Sequence, residues 1–169
     1  ARREPMRARH RVHDGQRRCD AKWTGGTDAL TAFADGFPLL GLSSTAIDEL
    51  NQRLAKQGRP AVDSARFRPN IVLDGLDAHG EDFLDRLAFD TPDGPVVLRL
   101  VKPCSRCAIP DVDPARGVPD GAVNPTISGY RADARLSGQI TFGMNAIVES
   151  GLDGELTVGM NGSAELKFD

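Results

Sequence analysis

The sequence predicts a mainly β domain with flanking helices and a barrel-like sheet, on three observations. Strand-like runs dominate from residue 70 onward, one segment alone carries a clean helical period, and strands do not alternate with helices as they would in a parallel doubly wound sheet. Neither G-x-G-x-x-G nor G-x-x-x-x-G-K-[ST] occurs, so a phosphate-cradling nucleotide loop has no local support.

Taken in order, the chain opens with "ARREPMRARHRVHDGQRR", seven arginines against Glu4 and Asp14. Residues 1–32 read as an arginine-rich lead-in, partly ordered or the remnant of an upstream region, and 33–169 as the domain. Asp35-Gly36 makes a turn, after which Phe37-Pro38-Leu39-Leu40 begins an apolar segment. The helix follows: Ser44 or Thr45 caps it, Ile47, Leu50 and Leu54 recur on one face, and Gly58 with Pro60 ends it. Asp48, Glu49, Gln52 and Arg53 fall on the opposite face, which is expected to be solvated.

Strands are predicted at "NIVL" (70–73), "PVVLRLVK" (95–102) and "GQITFGMNAIV" (138–148). "EDFLDRLAF" fits either a helical turn or an edge strand. "DPARGVPDGAVNPTISGY" reads as a Gly/Pro-rich loop with neither period. The tail "GELTVGMNGSAELKF" reads as a hairpin turning at Asn161-Gly162, with Leu166 and Phe168 on its returning strand.

With 169 residues, 40% apolar and 27% charged, the chain suits one soluble domain, and no apolar run approaches the roughly 18 residues of a membrane span. The arginines at the start have no aromatic side chain among them to stack on bases, and the body is acidic, so neither nucleic acid nor membrane is an expected partner. Three cysteines, Cys19, Cys104 and Cys107, do not make a disulfide framework; a reducing, cytoplasmic setting is expected.

Cys104-Ser105-Arg106-Cys107 poses the chemical question. A closed zinc site needs four ligands, and only Cys19, His10, His13 and His79 remain, without a second paired spacing. A redox dithiol wants the pair at a helix start, whereas this pair follows a strand and enters a proline-containing loop. Plain packing of two small apolar side chains is the third reading. Against it stands Arg106, which favours a thiolate at Cys107 and can grip phosphate in two-pronged fashion, a pairing suited to a soft metal in a phosphorylated cofactor. "RFRPNIVLDG" offers a similar cluster: Pro69 is expected to hold Arg68 extended, so that Arg68 and Asn70 project from a strand entrance.

Together "FADGFPLL", "SSTAIDELNQRL", "RFRPNIVLDG", "DAHGEDFLDRL", "CSRCAIPDVDPARG" and "FGMNAIV", in this order, resemble the MOSC domain family, in the branch similar to the mitochondrial amidoxime-reducing component and its bacterial relatives. The resemblance implies a MOSC-type β-barrel and a bound molybdenum cofactor (molybdopterin). It gives the metal-ligating and catalytic thiolate to Cys107, pterin or phosphate contacts to Arg68, Asn70 and Arg106, and a place near the cofactor to Asp35, Gly36 and Asp113. Position 116 is Arg where the family's turn has Thr, and His79 stands where relatives tend to carry Tyr; Glu81 and Asp82 match and read as a structural turn. The implied activity is reduction of small N-hydroxylated compounds by oxygen removal, with electrons from a separate donor protein and further cofactor contacts from an upstream N-terminal barrel domain. The other class of function is a cofactor carrier or sulfurase-associated binding domain without turnover of its own, a branch that brings pyridoxal phosphate by association. A small zinc or nucleic-acid module is the third.

Overall fold

The computed structural model describes residues 16–31 and 36–167. Nine strands and three α-helices are found there: β1 (Arg17–Arg18), α1 (Ala21–Thr24), β2 (Leu30–Thr31), β3 (Leu39–Ser43), α2 (Ser44–Lys56), β4 (Ile71–Leu73), β5 (Leu84–Thr91), β6 (Gly94–Ser105), α3 (Val123–Ser128), β7 (Ala132–Asp133), β8 (Gln139–Ser150) and β9 (Gly162–Leu166). The main sheet runs β4-β3-β8-β6-β5-β9, with β7 attached to β8, and curls into a half-barrel. Only the β3/β4 pair is parallel; every other pair is antiparallel.

Long strands at the centre make the frame. β5 and β6 form a hairpin whose register runs from Arg86↔Arg99 to Thr91↔Gly94, closed through Pro92 and Asp93. Gly94 takes φ 110° at the turn, and the Thr91 hydroxyl donates to its carbonyl at 2.7 Å. The inward side chains Leu84, Leu87, Phe89, Val96, Leu98, Leu100, Met144 and Ala146 fill the concave side, as alternation on a half-buried sheet requires.

The helical period is borne out over α2. Ala46, Ile47, Leu50 and Leu54 are buried against Phe67, Val123, Ile127 and Phe142 in a second core; full burial of each large aliphatic here contributes about 1.5–3 kcal/mol. Ser43 is the N-cap and makes no side-chain cap bond. The expected capping hydroxyls are engaged elsewhere: Ser44 donates to the Leu73 carbonyl and Thr45 to the Leu76 carbonyl, tying the helix to the strand beside it. Glu49 and Arg53 are half-buried rather than solvated, because Arg53 pairs with Glu49 and lies 3.8 Å over the Tyr130 ring.

Two further expectations are corrected, and one left open is decided. "EDFLDRLAF" is a 3-10 turn at Gly80–Phe83 running into β5, which is an inner strand between β6 and β9 and not an edge. "VNPTIS", read as loop, is helix α3, since Asp111 Oδ1 accepts the Val123 and Asn124 N–H groups at its start; a six-residue helix is too short to show a period. The tail is no hairpin: Gly162 is the first residue of β9, which pairs with β5 instead, while Leu156 packs on the concave core and Val158 is exposed. Phe168 lies outside the described residues. Within the expected lead-in, residues 17–31 form a small β1/β2 ladder around α1, and Cys19 and Ala29 pack with Phe37 and Ile147.

Gly143 fixes how closely β8 approaches β3. It sits at φ 77°, and a Cβ there would lie 2.8 Å from the Gly41 carbonyl oxygen and 3.2 Å from Leu42 Cβ. Gly143→Ala is expected to destabilise the fold by about 2 kcal/mol or more, from the left-handed backbone and the clash together. Urea unfolding checks this as a lowered midpoint with an unchanged slope.

Candidate functional site

β6 carries the cysteine pair to the rim of the sheet. Its pairing with β8 shifts register between Leu100 and Lys102 and again between Pro103 and Ser105, and such bulges bend a strand and re-aim its side chains. The ladder is prolonged by Arg106 N–H donating to the Ile140 carbonyl at 2.8 Å. Cys107 comes next and is exposed, Cys104 is half-buried, and Cys19 is buried within the fold; all three are free thiols. Burial pushes the Cys19 thiol up.

Arg106 points its guanidinium inward rather than toward Cys107. One terminal nitrogen donates to Cys104 Sγ at 3.0 Å, the other to the Phe67 carbonyl at 2.9 Å, and the group lies 5.2 Å over the Phe67 ring. Its Nε is buried without a partner. The consequence is that the cysteine loop is fastened to the residue immediately before Arg68. A second arginine adds to this join: Arg66, 8% exposed, donates to Asp120 at 2.5 Å and to the Pro110 carbonyl at 3.4 Å. That bond from Arg66 holds the Asp120 carboxyl below the usual carboxylate range.

Arg68 is exposed and stands at φ 54°, ψ 49°, left-handed rather than extended. Pro69 bars the right-handed helical region to the residue before it, and the 3-10 turn Ser64–Phe67 ends by taking the left-handed exit. Asn70 is also exposed, but its Oδ1 accepts the Leu40 N–H at 2.8 Å while its own N–H donates to the Leu40 carbonyl at 2.9 Å. It thereby opens the parallel β3/β4 pairing, and its side-chain NH2 has no partner among the described residues. Gly36 is exposed at the entrance to β3; Asp35 lies outside the described residues. Asp113 is turned onto its own loop, with Oδ1 accepting the Ala115 and Arg116 N–H groups. Thus Arg106 ties the cysteine loop to the turn that carries Arg68 and Asn70, and the Asp113 carboxylate serves its own loop.

Arg66, Asp111 and Asn124 were not expected from sequence. Arg66 looks like any surface arginine, and only the fold reveals Asp120, 54 residues away, as its partner. Among the described residues no group of three or more His, Cys, Asp or Glu stands together as a metal cage, and His10 and His13 lie outside them. No described helix is long and apolar enough to cross a membrane.

Behind Phe142 lies a buried polar layer. His79 is 7% exposed at φ 62°, its ring edge-on to Phe142 at 5.1 Å and its Nε2 3.5 Å from Glu49. Asp82 accepts from Arg131 at 2.7 Å. Glu81 is fully buried, and neither carboxylate oxygen has a protein hydrogen bond of good geometry. Burial pushes Glu81 up, offset in part by the nearby Ser43 hydroxyl; the Tyr130 phenol is pushed up to about 12 by burial. Burial, helped by Arg131, pushes His79 down to about 4.

A family description, the MOSC domain, matches residues 28–161. Mitochondrial amidoxime-reducing component 1 of Homo sapiens is 42% identical over 87 residues, 52% of this chain and 23% of that protein. Its counterpart in Mus musculus is 36% identical over 94 residues, 56% of this chain and 25% of that protein. Mitochondrial amidoxime reducing component 2 of Homo sapiens is 38% identical over 89 residues, 53% of this chain and 24% of that protein. The matched stretch therefore spans about a quarter of the length of these curated relatives.

His79 makes stability depend on pH. From its ordinary 6.5 down to about 4 the unfolded chain takes up a proton that the folded chain refuses, so this contribution is lost as pH falls through that window. It amounts to roughly 3 kcal/mol. Glu81 acts oppositely: folded chain holds its proton above 4.5, where unfolded chain releases it, so stability declines there as pH rises. His79→Asn, which tolerates positive φ, is expected to be less sensitive to acid than wild type between pH 6.5 and 4. Urea unfolding at several pH values checks this, and identical pH profiles would contradict it.

Proposed function

This chain belongs to the MOSC domain family, and on that premise we propose that it is the cofactor-holding part of a molybdenum-dependent oxidoreductase, with Cys107 as the metal ligand. The observation that carries the proposal is the contrast among three cysteines. Cys19 is packed in the interior, Cys104 is engaged by Arg106, and Cys107 alone is exposed, at the end of a strand whose next contacts lead to Arg68. A soft metal needs an accessible thiolate on a fixed main chain.

The surrounding donors fit a phosphorylated pterin. Arg68 is exposed with no carboxylate partner among the described residues, and the free NH2 of Asn70 follows two residues later. A cation and an amide donor on one rigid turn suit a phosphate or a pterin edge. Arg68 keeps a left-handed backbone that is about 1–2 kcal/mol unfavourable for a non-glycine residue, and such strain tends to persist where it serves a site. Arg106 holds the loop, which leaves it less free to grip a ligand than its position in sequence suggested.

When bound, a molybdenum pterin would supply the redox chemistry for removing oxygen from a small N-hydroxylated compound, with electrons drawn from a separate donor protein. Cys107 would hold that metal from this chain's side, and Arg68 with Asn70 would orient the organic part. The relatives' name, amidoxime-reducing component, supports this substrate class.

The test is metal and pterin content of the full-length protein expressed with ample molybdenum. Cys107→Ser is expected to lose at least tenfold of its bound molybdenum and its N-hydroxy reduction, whereas Cys104→Ser keeps its metal ligand. Retention of both by Cys107→Ser would overturn the proposal. One molybdenum per chain with no reduction, given a competent donor, would assign the carrier role instead.

A further inference from the structure

Cys107 has a second tether that owes nothing to Arg106. Asn124 Nδ2 donates to the Cys107 carbonyl at 2.8 Å, across 17 residues. The donor is itself held, because Asp111 Oδ1 accepts the Asn124 N–H at 2.9 Å together with that of Val123 at 2.8 Å. Asp111 belongs to the 3-10 turn Ile109–Asp111, directly after Cys107. Chain and hydrogen bonds thus close a small ring: Cys107, the turn, the start of α3, and back to Cys107. Asn124 Oδ1 is buried with no partner, so the carboxamide remains in place through its NH2 alone. A lone buried amide oxygen is unfavourable by about 1–3 kcal/mol, so the fold bears a cost at Asn124 that its NH2 bond to Cys107 offsets.

We propose that Asn124 is a positioning residue for the Cys107 sulfur. It fixes the main chain at Cys107 independently of Arg106, and so sets the direction from which the thiolate would meet the metal. This rests on the assignment of Cys107 as metal ligand; the fixing of the loop does not.

Two readouts on the full-length protein test it. Hydrogen exchange followed by mass spectrometry reads the loop without metal: Asn124→Leu and Asn124→Asp, similar in size but lacking the NH2, should raise the exchange rate of the peptide spanning Cys107 to Val112 about tenfold, the equivalent of one lost hydrogen bond. Peptides from β8 should not change, and Asn124→Gln, which keeps an NH2, should recover part of the protection. In molybdenum-loaded protein, the Mo(V) electron paramagnetic resonance spectrum of Asn124→Leu should differ from wild type in its g values, with Asn124→Gln nearer to wild type. Unchanged loop exchange in both NH2-less variants overturns the proposal, as does a loosened loop whose Mo(V) spectrum superimposes on wild type. If wild type takes up no molybdenum, the assignment of Cys107 as ligand fails, and loop exchange still decides whether Asn124 fixes that segment.

Discussion

The fork of Arg106 joins segments that sequence separates by 39 residues. A guanidinium presents donors in a fixed plane, so it can hold a sulfur and a carbonyl at once where a lysine would satisfy one direction at a time. Here it takes Cys104 Sγ on one side and the Phe67 carbonyl on the other. The candidate metal ligand and the exposed cation lie just past those two anchors: Cys107 is the residue after Arg106, and Arg68 is the residue after Phe67. The two motifs are therefore neighbours in the fold because an arginine from the first reaches the backbone of the second.

That join is supported from below. Phe67 stacks on Phe142 with centroids 4.1 Å apart and planes 11° from parallel, and His79 meets Phe142 edge-on. The stack connects the cysteine loop to the buried layer of His79, Glu81 and Asp82, and through Glu49 and Arg53 to helix α2. Stability and site geometry are thus linked through shared side chains. The acid sensitivity of His79 lies on the stability side of that link, since its ring packs on Phe142 and Tyr130 and makes no contact with the cysteine loop among those described.

Sequence made the architecture legible where pattern and environment agree. α2 shows its period because one face is wholly buried, and β6 and β8 show alternation because one side faces the concave core. It misled where a short element is held by tertiary bonds: α3 exists through Asp111, and β9 pairs with β5 although Asn161-Gly162 suggests a tight hairpin. At the site, residue types were readable and directions were not. Arg106 beside Cys107 invites a contact between them, but a strand entering a bulge turns neighbouring side chains apart, and the guanidinium meets Cys104. Asn70 was read as a ligand donor; half of its amide is spent on Leu40, a constraint that appears only once β3 and β4 are seen to be parallel neighbours.

A thermodynamic double-mutant cycle between Arg106→Met and Cys104→Ala, followed by urea unfolding of the metal-free chain, tests the join most directly. If the guanidinium holds the sulfur as the geometry has it, the two substitutions are coupled by about 1 kcal/mol, below the roughly 1.5–3 kcal/mol of a hydrogen bond to a charged group because a thiol sulfur is a weak acceptor. Strictly additive losses would mean that Arg106 does not fasten the cysteine loop, and the account of how the site is assembled would be wrong.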